Sequence, residues 1–196
     1  DNRQTDTIIF LRDLQIKTGR LKENIPFPFE ADFNLTLDNH GQKSSLPRSG
    51  DITMQGNATL FLQERHLRLE DLRLDATIKG KSLPKRGLKF GLATNSDIQL
   101  PQQKITIKDF SLTHENITLQ GNGTYENFTD PQVTMTLKVP ECSPQAILQQ
   151  RKDTQPLVRN KNAFALLSAN LRIKGSRDLI EVTDLTMKVD ETTVTG

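Results

Sequence analysis

Four aspartates, Asp13, Asp71, Asp109 and Asp184, stand at the same place in a recurring string, and their type invites a chemical reading. A carboxylate can serve as general acid, general base or nucleophile, and a carbohydrate-cleaving β-protein would need such groups clustered on one exposed face. The string that holds them points elsewhere. With Φ for an apolar residue it reads Φ-x-Φ-x-D-Φ-x-Φ. The copies are Ile9, Leu11, Asp13, Leu14, Ile16; Leu67, Leu69, Asp71, Leu72, Leu74; Ile105, Ile107, Asp109, Phe110, Leu112; and Ile180, Val182, Asp184, Leu185, Met187. A period of two is the strand period. The apolar residues on either side of each aspartate are three apart, so a straight strand would send the two limbs to opposite faces. One extra residue, as a β-bulge, returns them to one face. Aspartate suits such a step, because its short side chain bonds nearby backbone N–H groups and tolerates turn conformations. Asp13, Asp71, Asp109 and Asp184 are therefore expected to be structural bulge or turn residues, and no catalytic residue is expected.

Other reactive groups offer little. The chain contains no GxSxG, HExxH or GxxxxGK string, and Gly121 and Gly123 form a GxG without a third glycine, which reads as part of a turn and carries no weight. His40, His66 and His114 are scattered singly and read as surface or loop histidines, while Ser44, Ser45 and Ser49 read as loop serines. N-x-T strings begin at Asn34, Asn57, Asn116, Asn122 and Asn127; Asn and Thr are common on the wet side of these strands, so coincidence accounts for them. The single cysteine, Cys142, excludes an internal disulfide and any cysteine-based metal cluster. No metal and no cofactor is expected.

The elements around these residues are strands. Of 196 residues only 34% are apolar, with no Trp and one Tyr, yet their strict alternation speaks against disorder. Phe29, Ala31, Phe33, Leu35 and Leu37 share one side of a strand; Ile52, Met54, Ala58, Leu60 and Leu62 share another, with Gly56 marking a bulge or close approach. Val133, Met135, Leu137 and Val139 alternate up to Pro140, and Ala163, Ala165, Leu167, Ala169, Leu171 and Ile173 again share a side. The period changes at Ser143: a capping hydroxyl before Pro144, followed by AILQQRK, predicts a helix of about two to three turns near 143–152. The last interval between repeat aspartates is close to twice the middle one, which favours a sheet extended by repetition over a closed barrel.

The expected fold is thus mainly β: an elongated, curved antiparallel β-groove or repeat sheet with one short helix. Residues 1–142 hold repeated β-groove units, 143–162 the short helix and a proline-broken connector, and 163–196 a continuing, truncated β-unit. Both ends read as cuts through ongoing β-structure, so the chain reads as a fragment. A net charge of +2 with acids and bases interspersed provides no basic stripe for nucleic acid. No apolar run is long enough to span a bilayer as a helix, and no signal peptide opens the sequence.

One signal remains, the apolar face that strand after strand presents. It must be closed over by a second layer, covered by a partner, or left as a greasy groove. A groove would hold acyl chains through Phe33, Leu35, Leu60, Ile107, Leu112, Met135, Leu137, Leu171 and Ile173, which would act by excluding water. The alternative is a non-catalytic β-scaffold that takes a protein partner by strand addition.

The segment from Ser143 to Gly196 resembles the AsmA family of bacterial envelope proteins, in which a short Pro-containing helix and a broken linker lead to paired strands with a Φ-x-Φ-x-D/N-Φ-x-Φ step. The family's closing pattern D-x-T-x-Φ-x-G is matched by Asp190, Thr192, Val194 and Gly196, and its hairpin pattern by Gly123, Pro131, Val133 and Met135. The resemblance is clearest from Ile105 onward. It implies a periplasmic, repeated β-groove protein anchored to the inner membrane by a helix outside this fragment. It further implies a part in phospholipid transport and outer-membrane homeostasis, and it carries over no catalytic residue.

Overall fold

The structure, a computed structural model, describes residues 7–39, 49–80, 83, 87–143 and 165–196. These form eleven strands: β1 (Thr7–Thr18), β2 (Phe27–Asn39), β3 (Ser49–Phe61), β4 (His66–Lys79), β5 (Leu88–Gln99), β6 (Lys104–His114), β7 (Ile117–Glu126), β8 (Gln132–Cys142), β9 (Leu167–Gly175), β10 (Ile180–Val189) and β11 (Thr192–Thr195). Each pairs antiparallel with its sequence neighbours, in the spatial order β1 through β11. The result is one open, uncurled sheet whose edges are β1 and β11. The described residues contain no helix. Of the helix predicted near 143–152 only Ser143 is described, outside any helix, and the remainder, with the connector up to residue 162, lies outside the described residues.

All four aspartate steps are bulges. In β1, Asp13 and Leu14 together face the single Phe33 of β2. In β4, Asp71 and Leu72 face Gly56 of β3. In β6, Lys108 is the extra residue against β5, and Lys108 and Asp109 together face Asn122 of β7. In β10 the extra residue is Thr183, between the pairs Val182 with Ile173 and Asp184 with Arg172. Asp13 and Asp71 adopt left-handed backbone conformations, with φ of 53° and 50°, which Asp tolerates better than most residues. Gly56 is the close approach expected of it, since an added Cβ would sit 3.0 Å from the Leu72 Cα.

Three of these bulges fall on one line across the sheet. The register runs from Gly56 through Asp71, Asn95, Asp109, Asn122, Thr136 and Arg172 to Asp184. Asn95 ties two of them together. Its Oδ1 accepts the Asp71 N–H at 2.8 Å, and its Nδ2 donates to the Asp109 carboxylate at 3.0 and 3.2 Å.

Some predicted strand ends move. Leu62 falls in a turn and is exposed, whereas Ser49, read as a loop serine, opens β3. The histidine reading is corrected. His40 lies outside the described residues, but His66 and His114 are strand residues with partners. His114 stacks on Phe90 at 4.7 Å and donates through Nδ1 to the Lys89 carbonyl at 2.8 Å. The His66 imidazole is about nine-tenths buried, against the Asp97 carboxylate at 2.9 Å and stacked on Phe61 at 4.8 Å.

Asp97 is the centre of the most enclosed polar cluster described. Arg68, directly opposite on β4, donates to it at 3.0 Å, and the Lys108 ammonium approaches at 2.6 Å from β6. Burial pushes the Asp97 carboxyl up, but hydrogen bonds from Lys108, Arg68 and His66 outweigh that effect and hold it down at about 2. Because the folded value lies below the ordinary one, this contribution to stability is fully present above about pH 4 and is lost as pH falls through about 2. Asp97→Asn should lower unfolding stability by about 1–3 kcal/mol at neutral pH. It should also flatten the loss of stability between pH 4 and 2 in urea titrations; an unchanged acid slope would remove Asp97 from this role.

Candidate binding surface

Directly paired residues on neighbouring strands point to the same side of a sheet. Following the pairs from strand to strand therefore maps a face as a set of rows. One row crosses nine strands from β2 to β10: Phe27, Ala58, Leu69, Ser96, Ile107, Gly123, Met135, Ile173, Val182. None of these residues is charged. At about 4.8 Å per strand the row is about 38 Å long. A parallel row runs Leu72, Thr94, Phe110, Gly121, Leu137, Leu171, Leu185, and another runs Leu60, Leu67, Ile98, Ile105, Tyr125, Val133.

The nine residues expected to meet acyl chains all lie on this face. Ile107, Met135 and Ile173 share the longest row, and Leu137 and Leu171 are direct partners in the next. Leu112 lies between Leu92 and Leu119, and Leu60 opposite Leu67. Phe33 and Leu35 sit at the β2 end, paired with Ile52 and Gly50. The face is continuous between them, but its two ends are several strands apart. All nine are half-buried, and no large side chain among the described residues is fully buried. In a single layer, neighbouring side chains cover one another laterally while nothing described covers them from above.

Gly121 and Gly123, expected in a turn, lie instead inside β7 with partners on both sides, and they shape this surface. Gly121 and Gly123 interrupt both rows on β7, and neighbouring side chains close the gaps. A Cβ at Gly123 would meet the Thr134 carbonyl at 2.6 Å and Met135 Cγ at 2.9 Å. One at Gly121 would collide with the Thr136 carbonyl and come within 2.8 Å of the Phe110 ring. Phe110 and Met135 thus lean across the glycines, and the apolar surface continues over β7 without a side chain from it. Strand alternation around the GxG was the available signal, since glycine inside a strand marks close approach.

The opposite face is polar. It carries the Asp97 cluster, and on it Phe61 lies beneath Arg68 with the guanidinium 5.4 Å from the ring centre. A shallow depression of about 550 Å³ follows the bulge line, bordered by Asp71, Asn95, Asp109, Asn122 and Lys138. Asp71, Asp109 and Asp184 are held apart along this line, and Asp13 stands off it on β1. Asp109 is engaged by Asn95, and Asp184 lies 3.4 Å from Arg172. Among the described residues no three His, Cys, Asp or Glu side chains are grouped to hold a metal ion.

No family model matches the chain, and neither a curated protein nor a solved structure matches it.

Replacing Gly121 by valine should disturb β7 pairing and cost about 1–3 kcal/mol, by analogy with overpacked cores. Gln120→Val, at the adjacent exposed position, should change stability by less than about 0.5 kcal/mol. Thermal unfolding of the two variants checks the contrast, and equal effects would mean that Gly121 has no special place in the surface.

Proposed function

We propose that this chain is a lipid-binding β-groove segment of an AsmA-like envelope protein, whose apolar face is the floor on which phospholipid acyl chains lie. The observation that carries the reading is the uncharged nine-strand row and its flanking rows, with nothing described above them. A bilayer's hydrocarbon core is about 30 Å thick, so one leaflet's chains extend about 15 Å. A row of about 38 Å exceeds two such lengths.

The magnitudes favour a two-chain lipid. A methylene fully removed from water contributes about 0.8 kcal/mol, and a chain lying on an open floor is covered on roughly one side. Ten methylenes then contribute about 4 kcal/mol, which corresponds to roughly millimolar binding. Two chains roughly double that and reach the micromolar range. The headgroup stays in solvent, because the rows offer it no charge. Movement along the face follows from the same uniformity: successive positions are chemically alike, so a chain can shift from one to the next without losing a specific bond. On this reading, and as the AsmA resemblance implies, the parent protein carries the segment in the periplasm, tethered to the inner membrane by an anchor outside this segment, and serves phospholipid transport and outer-membrane homeostasis.

Native mass spectrometry of the protein purified from membranes should find co-purified diacyl lipid. Met135→Asp or Ile107→Asp should lower retained lipid several-fold, whereas Lys138→Asp on the polar face should leave it nearly unchanged. Repeated absence of lipid from the unsubstituted protein would sink the reading.

A further inference from the structure

Every turn at one rim of the sheet is described: those joining β1 to β2, β3 to β4, β5 to β6, β7 to β8 and β9 to β10. The middle three have hairpins on both sides, so their surroundings do not depend on either end of the chain. Each of these three presents a large apolar side chain to solvent. Leu62 is 63% exposed, Leu100 56% and Phe128 39%. Apolar residues scattered singly over a surface need no account, but one in each successive turn along a single rim marks a contact surface. The two tight turns described in full at the opposite rim, Glu115-Asn116 and Asp190-Glu191, hold no apolar residue.

The three turns are tied into a rail. Arg65, Gln103 and Asn127 are left-handed, with φ of 48°, 48° and 58°, and each bonds to a neighbouring turn. The Arg65 carbonyl accepts the Leu100 N–H at 3.2 Å. The Gln103 carbonyl accepts the Asn127 N–H at 2.9 Å, and Gln103 Oε1 accepts the Phe128 N–H at 3.1 Å. Two strand spacings separate neighbouring turns, about 9.6 Å. The rail continues the apolar face. Leu62 and Leu100 follow Leu60 and Ile98 by two residues, in step with the row nearest this rim, and the Phe128 ring lies 5.8 Å from that of Tyr125 in the same row.

We propose that this rim docks on the surface of a zwitterionic phospholipid bilayer, with Leu62, Leu100 and Phe128 inserted at the boundary between headgroups and acyl chains. Charge selects this occupant over an anionic surface. The three turns carry only Glu64, Arg65 and Asp130, and the adjoining Lys104 is taken by Glu126 at 2.6 Å, so no excess of cations is left to draw anionic lipid. Spacing selects it over a protein. Three apolar tips about 9.6 Å apart, with Gln63, Gln102 and Thr129 beside them, would need three pockets in matching register on a partner. A fluid interface receives each tip wherever it falls and keeps the polar neighbours among the headgroups. Docked in this way, the row from Leu60 to Val133 starts at the bilayer surface, where an acyl chain can pass onto the face. The docking itself needs only the turn residues and stands apart from whether the face retains lipid.

Flotation with phosphatidylcholine vesicles tests it. The unsubstituted protein should rise with the vesicles in low and high salt alike. Combined Leu62→Ser, Leu100→Ser and Phe128→Ser substitution, at exposed positions where stability changes little, should lower vesicle partition by about tenfold or more. Met135→Asp, on the groove floor, should float as the unsubstituted protein does, so failure of the lipid reading and failure of this one give different results. Because the chain contains no Trp, Leu100→Trp supplies a single fluorophore. Lipid brominated near the headgroup should quench it, while Glu191→Trp at the opposite rim stays bright. Failure of the unsubstituted protein to float overturns the proposal, as do equal flotation of the triple variant and equal quenching of the two tryptophans. Binding that needs anionic lipid or vanishes in high salt also overturns it. So does a dimer that the triple variant dissolves, since a second copy of the chain would then cover the rim.

Discussion

Face identity is the constraint on which this sheet depends. A one-residue slip in strand register sends every side chain to the other side, and in a two-layer protein the opposing layer penalises the error. Here no opposing layer is described, so each strand must hold its own parity against its neighbours. The bulges do this. Without the extra residue at Lys108, Phe110 and Leu112 would leave the face of Ile105 and Ile107, and the long apolar row would break at β6. Placing the β4, β6 and β10 bulges on one line lets the intervening strands cross that line in register, and the irregularity of β8, between Val139 and Cys142, lies away from it. Asn95 couples two of these bulges through both ends of its amide. The β1 bulge stands off this line, opposite Phe33, at the edge where only one neighbour needs to be matched.

Stability in such a layer is distributed. Among the described residues the buried apolar side chains are few, Phe27, Ala31 and Ala58, and three of the buried positions are polar: Thr59, Ser96 and Asp97. A central core therefore cannot be the main source of cohesion. Each strand is held by its two neighbours through ladder hydrogen bonds and lateral side-chain contact, as in other repeat architectures. The Asp97 cluster reinforces this scheme where it spans three consecutive strands, β4, β5 and β6. Its carboxylate answers three donors at once, so ionisation of one group fixes the relative position of all three strands.

Alternation made most of the strands legible, and the three-residue spacing about Asp13, Asp71, Asp109 and Asp184 made their bulges legible, because both are properties of a few adjacent residues. The meander order was not specified by any such local pattern. His66 and Asp97 escaped notice for the same reason. They are 31 residues apart and meet only once β4 and β5 are paired, and a lone histidine beside an arginine looks like surface. Gly121 and Gly123 read in sequence as a GxG without a third glycine, and their place in the surface is visible only when Phe110 and Met135 are seen to lean over them. The nine residues chosen for the apolar surface did fall on one face, since parity plus the bulge correction is sufficient to assign a side. How far apart Phe33 and Ile173 lie on that face depended on the strand order, which alternation does not encode.

The difference between the two faces also constrains what can cover the apolar one. A second protein layer gains its stability from shape complementarity, and its side chains must interdigitate with fixed knobs and hollows. The rows here are made of medium aliphatics punctuated by Gly121, Gly123, Ser96 and Thr94, with the gaps at the glycines already filled by Phe110 and Met135. With those two gaps filled, a partner's side chains could not enter the surface at β7. An acyl chain is flexible, carries no hydrogen-bonding groups along its length and needs no register, so an uncharged row serves it as well at one position as at the next. The polar face, with its carboxylates held by Asn95, Arg172 and the Asp97 donors, would confine such a cover to one side of the sheet.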